Sequence, residues 1–235
     1  MNVVALIPAR AGSKRLPDKA LADLRGRPLI SYTCEAALHS GVLSAVFVNT
    51  DCPGIAAQAE RFGVRCPFLR PARLATDGAR SCDANRFLLT KLLENGERYD
   101  ALMVLQPTSP LRTAADIRAA LGLFQENAPC AVVSVSPVAP ASWLGRVAKD
   151  GHFDPLPGEE HLHRLNGAIY IYTVDDFLAD RRPARTMVHP MPGKRGVDID
   201  TPEDLAYADF LLARAERAES SQTARRPEAI GANVG

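Results

Sequence analysis

The chain has 235 residues, of which 46% are hydrophobic and 23% are charged, a composition typical of a soluble globular protein. Its 28 lysines and arginines nearly balance its 27 aspartates and glutamates, so the overall charge favours neither a nucleic-acid partner nor a membrane surface. No apolar run approaches the roughly 20 residues that span a bilayer, and an apolar strand follows Met1-Asn2 directly, which leaves no room for a signal peptide.

The first predicted element is a buried strand over the apolar run 3–7, and a strongly basic loop follows it. Four cations surround Gly12 and Ser13 in this loop: Arg10, Lys14, Arg15 and Lys19. Gly12 permits a backbone N–H to approach a phosphate closely, and the cations neutralise the phosphate charge. We therefore interpret the loop as an anion site, with a solvated basic loop as the alternative.

The basic loop differs from two common nucleotide sites. Gly12-Ser13-Lys14 lacks the G-x-x-x-x-G-K-S/T spacing that wraps a β-phosphate. No G-x-G-x-x-G follows the strand, which disfavours dinucleotide binding of the usual kind. The pattern favours a loop that grips a triphosphate with side-chain charge as well as with its backbone.

Strand-like and helical segments alternate from this loop onwards. The predicted helices cover about 28–39, 53–61, 83–93, 113–125 and 201–217, and the predicted strands cover 45–48, 65–69, 101–105, 131–135 and 168–172. Short β–α connections predict an α/β fold with a parallel sheet covered by helices on both faces. Right-handed crossovers would gather the functional loops at the carboxyl ends of the strands.

The alternation is interrupted once, by a segment rich in proline and glycine. This segment predicts a lobe at about 137–165, inserted between two strands of a single domain that covers residues 1–217. Residues 218–235 are polar and poor in large apolar side chains, so we expect a disordered tail there.

The cysteines predict a reducing compartment. There are five of them, none in a C-x-x-C pair, at Cys34, Cys52, Cys66, Cys82 and Cys130. An odd number of cysteines in mostly apolar contexts favours free thiols in a cytoplasmic protein.

A polar turn follows the predicted strand 101–105 directly. Its two prolines hold Gln106, Thr108 and Ser109 as hydrogen-bonding groups at the end of the strand. A binding role for these groups and a rigid strand-to-helix turn are both open on this pattern alone.

Two acids precede the last predicted helix. Asp198 and Asp200 alternate along an extended segment and therefore share a face, with Cβ atoms about 7 Å apart. Such a pair suits Mg²⁺, which one or two carboxylates hold together with substrate phosphates. The alternative is that Asp200 or Thr201 only caps the helix.

Five segments of the chain, in order, resemble the acylneuraminate cytidylyltransferases, the family of CMP-sialic acid synthetases. The first is IPARAGSKRLPDK at 7–19, and the second, at 68–81, contains Arg70 and Ser81. The others are LQPTSPLR at 105–112, RLNGAIYI at 164–171 and VDIDTPED at 197–204. Together the five segments span about residues 3–205.

The resemblance implies both a fold and a reaction. The fold is a three-layer sandwich with a mainly parallel, Rossmann-like sheet of the nucleotide-diphospho-sugar transferase type, and the inserted lobe pairs two protomers as a homodimer. The reaction is the transfer of CMP from CTP to the anomeric hydroxyl of an acidic nine-carbon sugar, with release of pyrophosphate and with Mg²⁺ as cofactor.

We assign the site residues on these segments by role. The predicted nucleotide-binding residues are Ala9, Arg10, Gly12, Ser13, Lys14, Lys19, Arg70, Arg80 and Ser81. The predicted sugar-binding residues are Gln106, Arg164, Asn166 and Gly167, with Arg164 pairing with the sugar carboxylate. The predicted metal ligands are Asp198 and Asp200, and the predicted catalytic residues are Arg10, Lys14, Lys19 and Asp200. No general base is identified.

The sequence departs from the family pattern at two positions. Ala20 stands where asparagine is usual, and Arg80 stands where a small polar residue is typical. These departures leave open which sugar is used. The alternatives are a nucleotidyltransferase for an eight-carbon sugar or for GTP, a catalytically silent nucleotide-binding protein, and a Rossmann oxidoreductase, which the missing glycine fingerprint disfavours.

Overall fold

The computed structural model describes residues 1–224 of the chain, with side chains as far as residue 218. The strands are β1 Val3–Pro8, β2 Asp23–Leu24, β3 Arg27–Pro28, β4 Ala45–Asn49, β5 Ala101–Leu105, β6 Ala131–Pro140, β7 Gly145–Val147, β8 Phe153–Pro155, β9 His161–Thr173 and β10 Thr186–Pro190. The helices are α1 Leu29–Ser40, α2 Pro53–Arg61, α3 Ser81–Glu94, α4 Ala114–Asn127, α5 Val174–Leu178 and α6 Pro202–Ala224.

A central sheet of six strands, in the order β10-β6-β9-β5-β1-β4, organises the fold. Its strands run parallel except for β9, which is antiparallel to both β5 and β6. The predicted α/β class with a mainly parallel sheet is confirmed. As expected for buried parallel strands, β1 and β5 are apolar along almost their whole length.

Alternate residues of β1 pack against helices on opposite faces of the sheet. Ala5 and Ile7 belong to the core cluster that includes residues of α1, α2 and α4, whereas Val4 and Leu6 belong to the one that includes residues of α3 and α5. A third cluster joins α6 to the start of α1 and to the extended segment before α6, through Val197 and Ile199. This cluster fixes the acids that flank Ile199.

Local sequence signals explain several helix boundaries. Gly41 ends α1 in the left-handed conformation with φ of 67°, and Pro53 begins α2 at its first position. At α4, the Thr113 hydroxyl accepts a hydrogen bond from the Asp116 N–H, and the Asp116 carboxylate accepts one from the Thr113 N–H. These reciprocal bonds form a capping box at the start of α4.

Several predicted boundaries differ from the structure. The run 65–69 forms only one bridge, between Arg65 and Phe47, because a single backbone bond from the Val48 N–H to the Arg65 carbonyl joins it to β4. Strands β6 and β9 both extend beyond their predicted limits. Helix α6 continues past Arg217 to Ala224, so the tail predicted to begin at 218 is helical at first, and its part at 225–235 lies outside the described residues.

The prolonged halves of β6 and β9 leave the central sheet and form the 137–165 lobe. They pair Pro137 with His163, and the hairpin β7–β8 follows at their end. The lobe exposes apolar side chains, with Trp143 77% and Val147 73% accessible. In the part of the chain that the structure describes, no helix is long and apolar enough to cross a membrane.

Asp116 joins three parts of the fold. Besides capping α4, its carboxylate accepts hydrogen bonds from His189 Nε2 on β10, at 3.3 Å, and from the Arg195 guanidinium, at 3.0 Å. Burial raises the pKa of Asp116, but the bonds from His189 and Thr113 and the charge of Arg195 outweigh burial and hold this pKa well below its usual value.

The depressed pKa of Asp116 makes its contribution to stability depend on pH. That contribution is present above the unfolded-state pKa of about 3.9 and is lost as the pH falls towards the folded-state value. We expect Asp116→Asn to lower the free energy of unfolding at pH 7 by about 2 kcal/mol. The deficit should shrink by about 1 kcal/mol at pH 3. Urea unfolding at both pH values measures it, and an equal deficit at both would contradict the assignment.

Candidate active site

One cavity of about 570 Å³ opens at the carboxyl ends of β1 and β5. The bend of β9 and the extended segment before α6 complete its wall. The residues that line it are Pro8, Ala9, Arg10, Ser13, Lys14, Arg15, Lys19, Ala20, Leu29, Arg70, Asp77, Ser81, Gln106, Pro107, Thr108, Gly167, Tyr170, Asp198 and Asp200.

The basic loop is pinned to the end of β4. The Ala9 N–H donates to the Asn49 carbonyl at 3.0 Å, and the Ala11 N–H donates to the Asp51 carboxylate at 3.1 Å. These bonds continue the parallel pairing of β1 and β4 beyond the strand ends. The loop therefore begins at a fixed point, and its cations project over the cavity.

Asp77 holds the first two cations of the loop. Its carboxylate lies 2.9 Å from the Arg10 guanidinium and 2.7 Å from the Lys14 ammonium. Hydrogen bonds from Lys14 and Arg10 lower the pKa of Asp77, so it is ionised at neutral pH. Asp77 thus occupies an anion position between two cations.

Asp200 holds the other two cations. Lys19 Nζ lies 2.6 Å from one carboxylate oxygen of Asp200, and the Arg15 guanidinium lies 2.7 Å from the other. The Lys19 side chain is only 13% accessible, whereas that of Arg15 is 67% accessible. Lys19 is therefore the more firmly placed of the two.

Asp198 faces the cavity from the same extended segment. The Ile199 N–H donates to the Thr108 carbonyl at 2.8 Å, and the Thr108 side chain hydrogen-bonds the Asp198 carboxylate. Burial and the negative charge of Asp200 raise the pKa of Asp198, although the bond from Thr108 and the charge of Lys19 oppose the rise.

The carboxylates of Asp198 and Asp200 suit a divalent cation whose coordination sphere is completed by other ligands. Within residues 1–224 no group of three or more His, Cys, Asp or Glu side chains could hold a metal ion. Two carboxylates that repel each other are stabilised by a shared cation, and Mg²⁺ commonly takes one or two carboxylates with phosphate oxygens and water. Asp198 and Asp200 could therefore supply two ligands of a metal ion whose other ligands are phosphate oxygens and water.

Arg70 reaches the cavity from a fixed position. It is 7% accessible, and its guanidinium donates to the side-chain oxygen and the carbonyl of Asn49 at 3.2 and 2.6 Å. Asn49 in turn donates to Asn85 on α3. Burial, followed by the nearby charge of Arg10, lowers the pKa of Arg70. Ser81, at the start of α3, also lines the cavity.

Gln106 and Gly167 meet on the opposite side of the cavity. Gly167 has φ of 79°, a left-handed conformation that lets β9 bend at this point. A Cβ atom at Gly167 would lie 3.9 Å from the Asp198 carboxylate and 3.9 Å from Gln106 Cγ. This part of the wall therefore joins the predicted sugar residues to a predicted metal ligand.

Four of the predicted site residues do not line the cavity. Arg80 turns away because its guanidinium binds the Asp180 carboxylate at 3.2 Å. Asn166 is 1% accessible, and its side chain hydrogen-bonds the hydroxyls of Ser134 and Ser136 within the sheet. Gly12 lies outside the lining, and Arg164 is exposed and donates to the Gly196 carbonyl at 3.0 Å.

Arg164 nevertheless lies close enough to act on the site. Its positive charge is one of the influences that oppose the rise in the pKa of Asp198. The Asn166 network has a structural consequence instead: its side-chain oxygen accepts the Ala168 N–H at 3.1 Å and so supports the bend at Gly167.

Several residues that line the cavity are not among the predicted site residues. Arg15 was visible as a fourth cation, and Thr108 and Tyr170 lie inside recognised motifs. Asp77 carried no signal, because its pairing with the basic loop is a tertiary contact. Ala20, one of the departures from the family pattern, lies in the cavity wall.

Comparison with known proteins gives a consistent family. A family model described as cytidylyltransferase matches residues 4–141. The chain is 36% identical to the CMP-N,N'-diacetyllegionaminic acid synthase of Legionella pneumophila, over 90% of this chain and 97% of that protein. It is 30% identical to a pseudaminic acid cytidylyltransferase of Campylobacter jejuni, over 90% and 96% of the two chains.

Solved structures share the fold at lower identity. A CMP:2-keto-3-deoxy-manno-octonic acid synthetase complexed with CTP superposes with a TM-score of 0.72 at 21% identity, covering 92% of this chain and all of the other. The 4-diphosphocytidyl-2C-methyl-D-erythritol synthase of Anaerococcus prevotii gives 0.69 at 14% identity, covering 91% and 99%.

Asp77 should compete with anions for Arg10 and Lys14. We expect Asp77→Asn to bind inorganic pyrophosphate about threefold more tightly, because the carboxylate that now neutralises the two cations is lost. Isothermal titration calorimetry in low salt measures the change. Asp209→Asn, which removes an acid on α6 that pairs with Arg25 at the surface, is the matched control. Equal affinity in Asp77→Asn and wild type would show that Asp77 does not compete.

Proposed function

The chain belongs to the cytidylyltransferase family, and we propose that it transfers CMP from CTP to the anomeric hydroxyl of an acidic nine-carbon sugar, releasing pyrophosphate. The observation that carries the proposal is a cavity lined both by the four cations of the basic loop and by the carboxylates of Asp198 and Asp200. The names of the relatives, which act on legionaminic and pseudaminic acids, support the sugar class.

The cations suit the triphosphate and its leaving group. In the proposed reaction the sugar hydroxyl attacks the α-phosphorus in line with the departing pyrophosphate, and negative charge accumulates on the leaving oxygens. Arg10, Lys14 and Lys19 lie where they can hold the β- and γ-phosphates, and Arg15 adds a fourth charge. Cations placed before the reaction stabilise that charge without rearrangement.

The carboxylates suit a metal ion bound to the same phosphates. Asp198 and Asp200 would hold Mg²⁺, which when bound neutralises charge on the transferring phosphate. Because Asp200 pairs with Lys19 and Arg15, it also fixes two phosphate-binding cations beside the metal ligands. Asp198 and Asp200 would therefore place both the metal ion and the side-chain cations around the same phosphates.

The two sides of the cavity suit the two substrates. Arg70, held by Asn49, and Ser81 lie on the side where the nucleotide would bind, and we assign them to its positioning. Gln106 and Gly167 lie on the other side, and we assign them to the sugar. Arg164 remains our candidate for the sugar carboxylate, because a guanidinium can bind a carboxylate with two parallel hydrogen bonds.

We further propose that the enzyme is a homodimer paired through the 137–165 lobe. Trp143 and Val147 are accessible apolar residues on a projection that the central core does not cover. Large exposed apolar patches typically mark protein interfaces. Dimerisation through the lobe would also bring the partner protomer close to Arg164, which lies at the base of the lobe.

We expect the enzyme to work in the cytoplasm. Its five cysteines are unpaired in the structure, as expected in a reducing compartment.

The proposed reaction is tested by pyrophosphate release. We expect Mg²⁺-dependent release from CTP with one of N-acetylneuraminic, legionaminic and pseudaminic acids, and little with 3-deoxy-octulosonic acid. Asp200→Asn should lower the rate at least about 100-fold, because it loses a metal ligand and frees Lys19. Asp209→Asn should leave the rate unchanged. Release with GTP alone, or with the eight-carbon acid alone, would overturn the nucleotide or the sugar assignment.

The dimer is tested by sedimentation velocity. Wild-type protein should sediment as a dimer, and Trp143→Asp should shift it towards monomer, because a charge replaces an apolar contact. Phe210→Asp changes another exposed apolar residue, on α6, and should not shift the sedimentation. A monomeric wild type would contradict the proposal.

A further inference from the structure

Arg112 is a buried cation at the end of the 106–112 turn. It is 2% accessible, and in the described structure it forms no ion pair and leaves its Nε and one terminal nitrogen without a hydrogen-bond partner. Burial lowers its pKa to about 10. A guanidinium in this position costs stability, so its contacts point to a role other than stability.

The bonded nitrogen of Arg112 joins two strand ends. It donates to the Ala168 carbonyl on β9 at 2.9 Å and to the Gln106 carbonyl, directly after β5, at 3.1 Å. The backbone pairing of β5 with β9 ends at Leu105 and Ile169. Beyond that pair the chains diverge, and one side-chain nitrogen takes the place of the missing backbone bonds.

Both strand ends carry the sugar side of the cavity. One of the two carbonyls belongs to Gln106, and the other belongs to Ala168, which follows Gly167. The same turn supplies Thr108, whose carbonyl binds the Ile199 N–H and whose side chain binds Asp198. The start of the basic loop and Arg70 are fixed separately, because they are bonded to Asn49 and Asp51 at the end of β4. A displacement at Arg112 should therefore act first on Gln106 and Gly167 and leave these nucleotide-side groups in place.

We propose that Arg112 is a positioning residue for the acidic sugar: it sets the separation between Gln106 and Gly167 by holding the carbonyls of Gln106 and Ala168 on a single nitrogen. This inference rests on the proposed cytidylyltransferase function. It predicts a loss that falls on the sugar and not on CTP.

The test compares Michaelis constants in a folded, active enzyme. We expect Arg112→Met to raise the KM for the sugar about tenfold or more and to change the KM for CTP by less than about twofold, because a misplacement near 1 Å is costly at a reacting centre. Arg112→Lys retains a cationic donor and should recover most of the loss. Ile117→Val, a core change on α4, controls for reduced stability.

A second variant removes a different donor to the same Gln106 carbonyl. The Thr33 hydroxyl on α1 also donates to the Gln106 carbonyl, at 3.3 Å. Thr33→Val removes that donor with little change in shape, and it should raise the KM for the sugar by a smaller factor. This variant carries the test if Arg112→Met does not fold.

The outcomes separate the two proposals. A wild-type enzyme without turnover on any acidic sugar ends the proposed function, and this inference falls with it. An active wild type whose Arg112 and Thr33 variants change both Michaelis constants in parallel, or neither, overturns the positioning role alone. A selective change in the KM for the sugar, reversed in Arg112→Lys, supports it.

Discussion

The site depends on the antiparallel insertion of β9 between β5 and β6. Five of the six strands in the sheet are parallel, so their carboxyl ends meet at one edge. Because β9 runs the other way, it enters the sheet at that same edge, and the bend at Gly167 stands beside the end of β5. If β9 ran parallel to β5, the bend at Gly167, which precedes the paired stretch of β9, would lie at the opposite edge of the sheet.

Charge balance is the second organising feature of the site. Two acids, Asp77 and Asp200, each hold two cations of the basic loop. The loop contains several like charges within a short segment, and their repulsion would spread it apart without these partners. The pairing keeps the cations over the cavity before any phosphate arrives. An incoming polyphosphate therefore replaces contacts between the cations and these carboxylates with contacts between the cations and its phosphates. For this reason, electrostatic attraction alone overstates the binding energy.

Buried polar groups hold the turns around the cavity in place. Asn166 fastens the bend of β9 through Ser134 and Ser136, Asp116 ties α4 to β10, and Arg112 joins β5 to β9. Each of these side chains is buried and directional, so each fixes a distance that apolar packing would leave adjustable. A residue within one of the five motif segments can thus act in two ways, by contacting a substrate or by supporting the residue that makes the contact. Asn166 follows the second.

The sequence by itself determined the α/β class, most helix and strand positions, the basic loop, the acid pair before α6 and the family, because these depend on local periodicity, on capping residues and on short contiguous motifs. It did not determine the pairing of Asp77 with Arg10, the turn of Arg80 towards Asp180, or the burial of Asn166 and Arg112. Those features join residues far apart in the chain, and only the packed sheet decides which side chains face the cavity and which support it. The direction of β9 belongs with them, since a strand's apolar pattern reads the same in either direction.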